Sequence, residues 1–279
     1  MTQLWVTGAV VGVPGYRRTR PDRARLEEML PVRRTRFLDR GTILAIAAIE
    51  HLGTRDRSVE ALIASAAAGN RCPRTGIVVA SYVANADSVA DLAIEIRRNP
   101  PGGLLSPMLL PRVSSNVIAS EVAIWLRLTG PNYTICNDVG TAAGALRVAR
   151  LLLDSNQADD ILVVAVEPQT DWSAKLWGND SIHDEVAVLR LSRNDEGALA
   201  LLKATERSSG LRSHSDMNCG VGSRELARVS DTLEDALRTG RICHTYLAAE
   251  NPCVTLDVTI TPRKSGFNLN STNRRRLSC

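Results

Sequence analysis

Residues 105–168 read LSPMLLPRVSSNVIASEVAIWLRLTGPNYTICNDVGTAAGALRVARLLLDSNQADDILVVAVEP, and their pattern decides the fold class. Ile161–Val166 (ILVVAV) is an unbroken apolar run, the kind a strand buried on both faces carries in a parallel sheet. Tyr133–Cys136 predicts a short strand, and Gly140–Leu153 predicts a helix rich in small residues. Leu109–Leu128 reads as one long, mixed helical stretch. Strand, helix and strand in this order predict an α/β layered domain.

The pattern extends outward. Leu4–Val11 predicts a buried strand. Asp39 is placed to cap a helix through Leu52, with Ile43, Leu44, Ala47, Ala48 and Leu52 at helical spacing. Val59–Ala68 predicts a helix, Ile77–Ala80 a buried strand, and Asp87–Arg97 a helix with Asp87 as its cap. Asn99-Pro100-Pro101-Gly102-Gly103 then breaks the chain. Downstream, Val186–Leu191 alternates like an antiparallel strand, with Leu199–Ala204 as its expected partner. Glu225–Arg238 predicts a helix and Val254–Ile260 a last strand.

The composition suits a large core, with 44% hydrophobic residues in a chain of 279. The net charge of +4 is modest, but Arg17–Arg40 holds nine Arg against four acids, and Arg274, Arg275 and Arg276 lie near the end. Such a segment is either a solvated arm or a docking surface for an acidic partner. Nucleic acid is not expected, because 4% aromatic residues offer no stacking platform. The six cysteines (72, 136, 219, 243, 253 and 279) form no CxxC pair and no zinc-like spacing with His, so no metal or cofactor site is expected. No apolar run approaches the roughly 20 residues of a membrane span. The start, Met1–Val13, lacks a basic leader. A cytoplasmic protein with free thiols and no membrane contact is the expectation.

The stretch 105–168 resembles the central segment of the β-ketoacyl synthases, the thiolase-fold condensing enzymes. The resemblance runs without gaps. It rests on Ser106-Pro107 with Pro111, on Leu128, Gly130, Pro131 and Asn132, and on Ala158-Asp159-Asp160 before ILVVAVEP, where that family has a Gly-Gly-Ala-Glu-like end. Arg36-Phe37-Leu38-Asp39-Arg40 and Arg74-Thr75-Gly76-Ile77-Val78-Val79 resemble two further family segments. The resemblance implies a thiolase-like layered α/β/α fold with a shortened second half. Residues 1–205 would form the ketosynthase-like N-terminal half and residues 206–279 a reduced C-terminal half.

A working synthase carries a cysteine at the strand–turn–helix after Gly-Pro, because a thiolate must take the acyl chain from a carrier thioester. Counted from Gly130-Pro131, that position is Val139, which cannot be acylated. Cys136 lies three residues earlier, so strand alternation points it the other way, and a buried structural cysteine is expected. Asn137 and Asp138 suit a helix cap. The family's His-Gly-Thr motif is missing: none of His51, His183, His214 and His244 precedes Gly-Thr, and Gly266-Phe267-Asn268 only faintly echoes the family's closing loop.

Loss of cysteine and histidines together resembles the chain length factors, the cysteine-less partners of type II polyketide ketosynthases. Asn137-Asp138-Val139-Gly140 is similar to the pattern those proteins carry at the site. The short form is more like the factors of reducing, polyene-making systems. The resemblance implies a non-catalytic subunit of a heterodimer with a ketosynthase, meeting acyl carrier protein-bound chains indirectly. Leu109, Leu110, Val113 and Val117 would then line the far end of the partner's acyl tunnel, with ordinary helix packing as the alternative. Two other readings stay open: an acyltransferase using Cys136, and a module that keeps only the fold.

Overall fold

The computed structural model describes residues 4–11, 38–83, 85–98, 110–136, 140–177, 184–194, 200–208, 222–239, 241–248 and 254–262. Its centre is a mixed eight-stranded sheet. The strands are β1 (Leu4–Val11), β2 (Thr75–Ala80), β3 (Asn132–Ile135), β4 (Asp160–Glu167), β5 (Glu185–Ser192), β6 (Ala200–Ser208), β7 (Cys243–Ala248) and β8 (Val254–Pro262). Their spatial order is β3-β2-β4-β5-β1-β6-β8-β7. β2 runs parallel to both β3 and β4, as the apolar run of β4 implies. Every other pairing is antiparallel.

Side-chain alternation along the central strands separates two cores. Ile77, Val79, Leu162, Val164, Val166, Val186 and Val188 face one side. There they meet α1 (Arg40–Gly53), flanked by α2 (Arg57–Ala67) and α4 (Val117–Trp125). Val78, Ala80, Ile161, Val163, Ala165, Ala187, Leu189 and Leu191 face the other side, against α5 (Thr141–Asp154) and α7 (Gly222–Thr239). The result is a three-layer α/β/α arrangement. α3 (Ala86–Arg98) buries no residue and packs at the periphery, against α6 (Asp171–Trp177) and a 3₁₀ helix, Leu110–Val113.

The first two helix starts carry side-chain caps. Asp39 accepts hydrogen bonds from Thr42 N (2.9 Å) and Thr42 Oγ1 (2.6 Å) at the start of α1. Asp56 does the same for α2 through Ser58 N and Val59 N. Asp87 differs from expectation: the helix begins at Ala86, so Asp87 is a first-turn acid rather than its cap.

Three expectations are corrected by the structure. The helical stretch 109–128 is broken into the 3₁₀ helix, a turn and α4, because Pro111 offers no N–H and Ser114, Ser115 and Asn116 favour turns. The strand from Ala200 pairs with β1 and β8 instead of β5, because β1 inserts beside β5. β5 is buried almost throughout instead of alternating, since it lies between two strands with helices on both faces. Residue 205 falls inside β6, and the later elements α7, β7 and β8 join the same sheet and layers. Neither α6 nor β7 was signalled by the sequence pattern; both are short. Among the described residues no helix is long and apolar enough to cross a membrane.

Candidate functional site

The three parallel strands β2, β3 and β4 end on one edge, the edge where open α/β sheets bind ligands. The register of β2 with β3 is held by two glycines. A Cβ on Gly130 would lie 2.5 Å from Thr75 O, and one on Gly76 would lie 2.7 Å from Pro131 O. These are the glycines of the Leu-x-Gly-Pro and Arg-x-Gly-Val segments, and close backbone approach explains both. At the opposite ends of β2 and β4, Arg74 holds Asp159 through two bonds (2.9 and 2.7 Å) and also reaches Asn156.

Cys136 comes directly after β3 and is exposed. The expected buried structural cysteine is therefore corrected: the strand stops at Ile135, so alternation no longer decides where residue 136 points. Partial desolvation raises the Cys136 thiol above its ordinary range, and repulsion from Glu167 adds to the rise. A thiol so placed stays protonated, the reverse of an activated nucleophile. Val139, Asn137 and Asp138 lie outside the described residues. The helix after them starts from Gly140, which takes the N-cap position in the left-handed region (φ 73°) and makes no side-chain cap bond. Gly140 O accepts from Gly144 N (2.8 Å).

Glu167 ends β4, 1% exposed, under the turn that leaves β2. It accepts hydrogen bonds from Tyr82 N (2.7 Å), Val83 N (3.2 Å) and Ser81 Oγ (3.3 Å). Those three donors favour the carboxylate, yet burial outweighs them and Glu185 repels it, so its carboxyl is pushed up to about 7. Next to it, Arg40 binds Asp184 through Nε (2.8 Å) and Nη2, and Asp184 accepts from Gln169 N (2.8 Å). The Arg40 end of the Arg-rich segment is thus engaged within the chain; residues 17–37 lie outside the described ones. Thr170 and Ser173 cap α6 reciprocally.

The candidate tunnel residues separate. Leu109 lies outside the described residues. Leu110 is 57% exposed, and Val113 is half-buried on the same 3₁₀ helix. Val117 is buried in the α1 core at the start of α4. The 3₁₀ helix is tied down by Asn85, whose Nδ2 donates to Arg112 O (3.1 Å) and Ser114 O (2.8 Å). Asn116 joins α4 to β3: its Nδ2 donates to Asn132 Oδ1 (3.2 Å) and its Oδ1 accepts from Thr134 Oγ1 (2.6 Å).

The two described histidines do not gather here. His51 lies three turns along α1 from Arg40, about 16 Å away at 1.5 Å per residue. His244 lies on β7, five strand spacings from β4, or roughly 24 Å. His183 and His214 lie outside the described residues.

Solved structures share this architecture. "The ishigamide ketosynthase/chain length factor" is 17% identical with a TM-score of 0.70, covering 93% of this chain and 99% of that one. The ketosynthase ApeO in complex with its chain length factor ApeC, from Xenorhabdus doucetiae, is 13% identical with a TM-score of 0.60, covering 93% and 100%. The type II polyketide synthase acyl-carrier protein in complex with its ketosynthase, AntDE:AntF, is 12% identical with a TM-score of 0.67, covering 94% and 99%. The chain has the ketosynthase fold. No protein-family profile and no curated protein matches it. Within the ketosynthase fold, the β3–turn–α5 unit is the place expected from the Gly-Pro count to hold the nucleophile. Neither Glu167 as a buried acid nor Asn85 as a tether was anticipated from the sequence. The only signal for Glu167 was a carboxylate closing an apolar strand before Pro168, and Asn85 carried none.

Proposed function

We propose that the chain is a non-catalytic chain length factor: it pairs with an active ketosynthase and shapes the acyl tunnel in which a polyketide chain grows. What supports this is Val139, which the Gly-Pro count puts at the family's nucleophile position, directly before the Gly140 start of α5. The partner supplies the cysteine, and the acyl carrier protein delivers the chain to it. The reducing, polyene-type system is the proposed setting, by analogy with the factors the sequence resembles. The edge strand β3, with exposed Tyr133 on it and exposed Ile124 on α4, supports a partner on that side. Leu110 and Val113 are the proposed tunnel contacts. The acyltransferase alternative is disfavoured by the raised Cys136 thiol.

The test is reconstitution with a ketosynthase and acyl-loaded carrier protein. Mass spectrometry should find the acyl adduct on the partner only, and omission of this chain should change product length. A stoichiometric adduct on Cys136 or any other cysteine of this chain would overturn the proposal.

A further inference from the structure

Asn116 stands at the N-cap of α4, yet its side chain makes no cap bond. Asparagine at that position ordinarily accepts from the first free N–H groups of its own helix. Here the amide is spent on the edge strand and on Ser120 instead. Its Nδ2 donates to Asn132 Oδ1 (3.2 Å) and Ser120 Oγ (3.1 Å), and its Oδ1 accepts from Thr134 Oγ1 (2.6 Å). Asn132 and Thr134 lie directly beside Ile77 and Val79 of β2, on the face where the neighbouring strands present apolar side chains to the helices. We propose that Asn116 is a positioning residue that keys the edge strand: with Asn132 and Thr134 it fixes where β3, and Cys136 after it, sits relative to the Leu110–Val113 segment. The role assigned to that segment rests on the proposed function; the clasp itself does not.

β3 has four residues and, among the described residues, one strand neighbour, so its ladder alone pins it weakly. Gly76 and Gly130 let the two backbones approach, but a close approach does not choose where α4 meets the strand. A one-residue slip would bring Tyr133 to the α4 face and take Asn132 and Thr134 off Asn116. Apolar packing tolerates such a slip better than hydrogen bonds do, because the bonds need distance and direction together. The clasp reaches the 3₁₀ helix through one short turn. Val117 N donates to Ser114 O (3.0 Å), Asn116 N to Ser114 Oγ (3.3 Å) and Ser114 N to Pro111 O (3.4 Å). A shift of β3 is therefore passed to Leu110 and Val113 through bonded neighbours.

Hydrogen exchange on the full chain, corrected for the intrinsic chemical rate and with β4 as internal reference, tests the clasp. Asn116→Leu keeps the size of the side chain and removes its three bonds, so exchange across 132–136 should quicken about tenfold or more. Thr134→Val removes one of them and should quicken it about threefold; this variant keeps the test open if Asn116→Leu fails to fold. Asn116→Asp should stay within about twofold, because its carboxylate accepts from Thr134 Oγ1 as before, and Ser120 Oγ and the turned amide of Asn132 donate to it. Asn132→Asp should be tolerated likewise, since its carboxylate accepts from Asn116 Nδ2. The two together set carboxylate against carboxylate, and exchange should quicken as in Asn116→Leu. A role in packing alone gives no such pattern. Unchanged exchange in both Asn116→Leu and Thr134→Val, or a double Asp variant no worse than its singles combined, overturns the proposal. In the pair reconstituted with a ketosynthase, Asn116→Leu should broaden the product lengths, and Asn116→Asp should restore the unaltered distribution. If exchange responds and product lengths do not, the clasp stands and the tunnel role of the segment falls.

Discussion

At the residue scale, two side-chain environments make measurable claims. Glu167 titrates near 7 in the folded chain against an ordinary 4.5, so the folded state binds a proton more tightly than the unfolded one between those values. The stability it contributes is fully present below about pH 4.5 and is lost as pH rises through 7, by at most about 3 kcal/mol. Urea midpoints compared between the unaltered chain and Glu167→Gln should converge at low pH and separate above neutrality, with the variant the more stable. Equal separation at every pH would show that burial of the charge is not the cause. Gly130 makes the second claim. An added Cβ would meet backbone atoms of Thr75 at 2.5 and 2.8 Å, which cannot move as a side-chain tip can. Gly130→Ala should cost about 1–3 kcal/mol, the usual range for overpacking, and lower the melting temperature by several degrees. Gly69→Ala is the comparison: it meets nothing within 4 Å and carries only the strain of φ +90°.

At the element scale, the broken helix changes which substitutions inform on chain length. On a 3₁₀ helix residues i and i+3 eclipse, so Leu110 and Val113 share one side. Under the proposed function, Leu110→Ala and Val113→Ala should lengthen the products of the reconstituted pair without slowing it, because the chemistry would belong to the partner's cysteine. Val117 belongs to the α1 core, so Val117→Ala should instead lower stability by about 1–3 kcal/mol and leave the length distribution alone. If all three only reduce yield, the segment is packing and no more. The edge strand β3 gives another outcome. Tyr133→Lys with Ile124→Lys alters two exposed apolar side chains, so the chain should stay folded by circular dichroism yet lose copurification with the proposed ketosynthase partner. Retained copurification would place the partner elsewhere.

At the scale of the whole molecule, the sheet ends in β3 on one side and β7 on the other among the described residues. Open edges of this kind invite pairing. Obligate interfaces bury on the order of 2,000 Å² or more. Expressed alone, the chain should aggregate or form homodimers, and coexpression with the ketosynthase should raise its soluble yield. A stable, monodisperse monomer in light scattering would count against that dependence.

The sequence by itself determined the local elements. β1 matches its apolar run from Leu4 to Val11, and α1 starts at the Asp39 cap, because capping and periodicity act within one turn or one strand. That a valine cannot be acylated needed no structure, and its placing at the nucleophile position comes from the Gly-Pro count alone. Tertiary structure alone decided the rest. Whether β6 lies beside β5 or β1 depends on which strand inserts between them, a contact across nearly two hundred residues. The exposure of Cys136 is set by where β3 stops, and the burial of Glu167 by the turn that folds over it. Periodicity along a chain records which face a residue takes within its element. It does not record which other element arrives to cover that face.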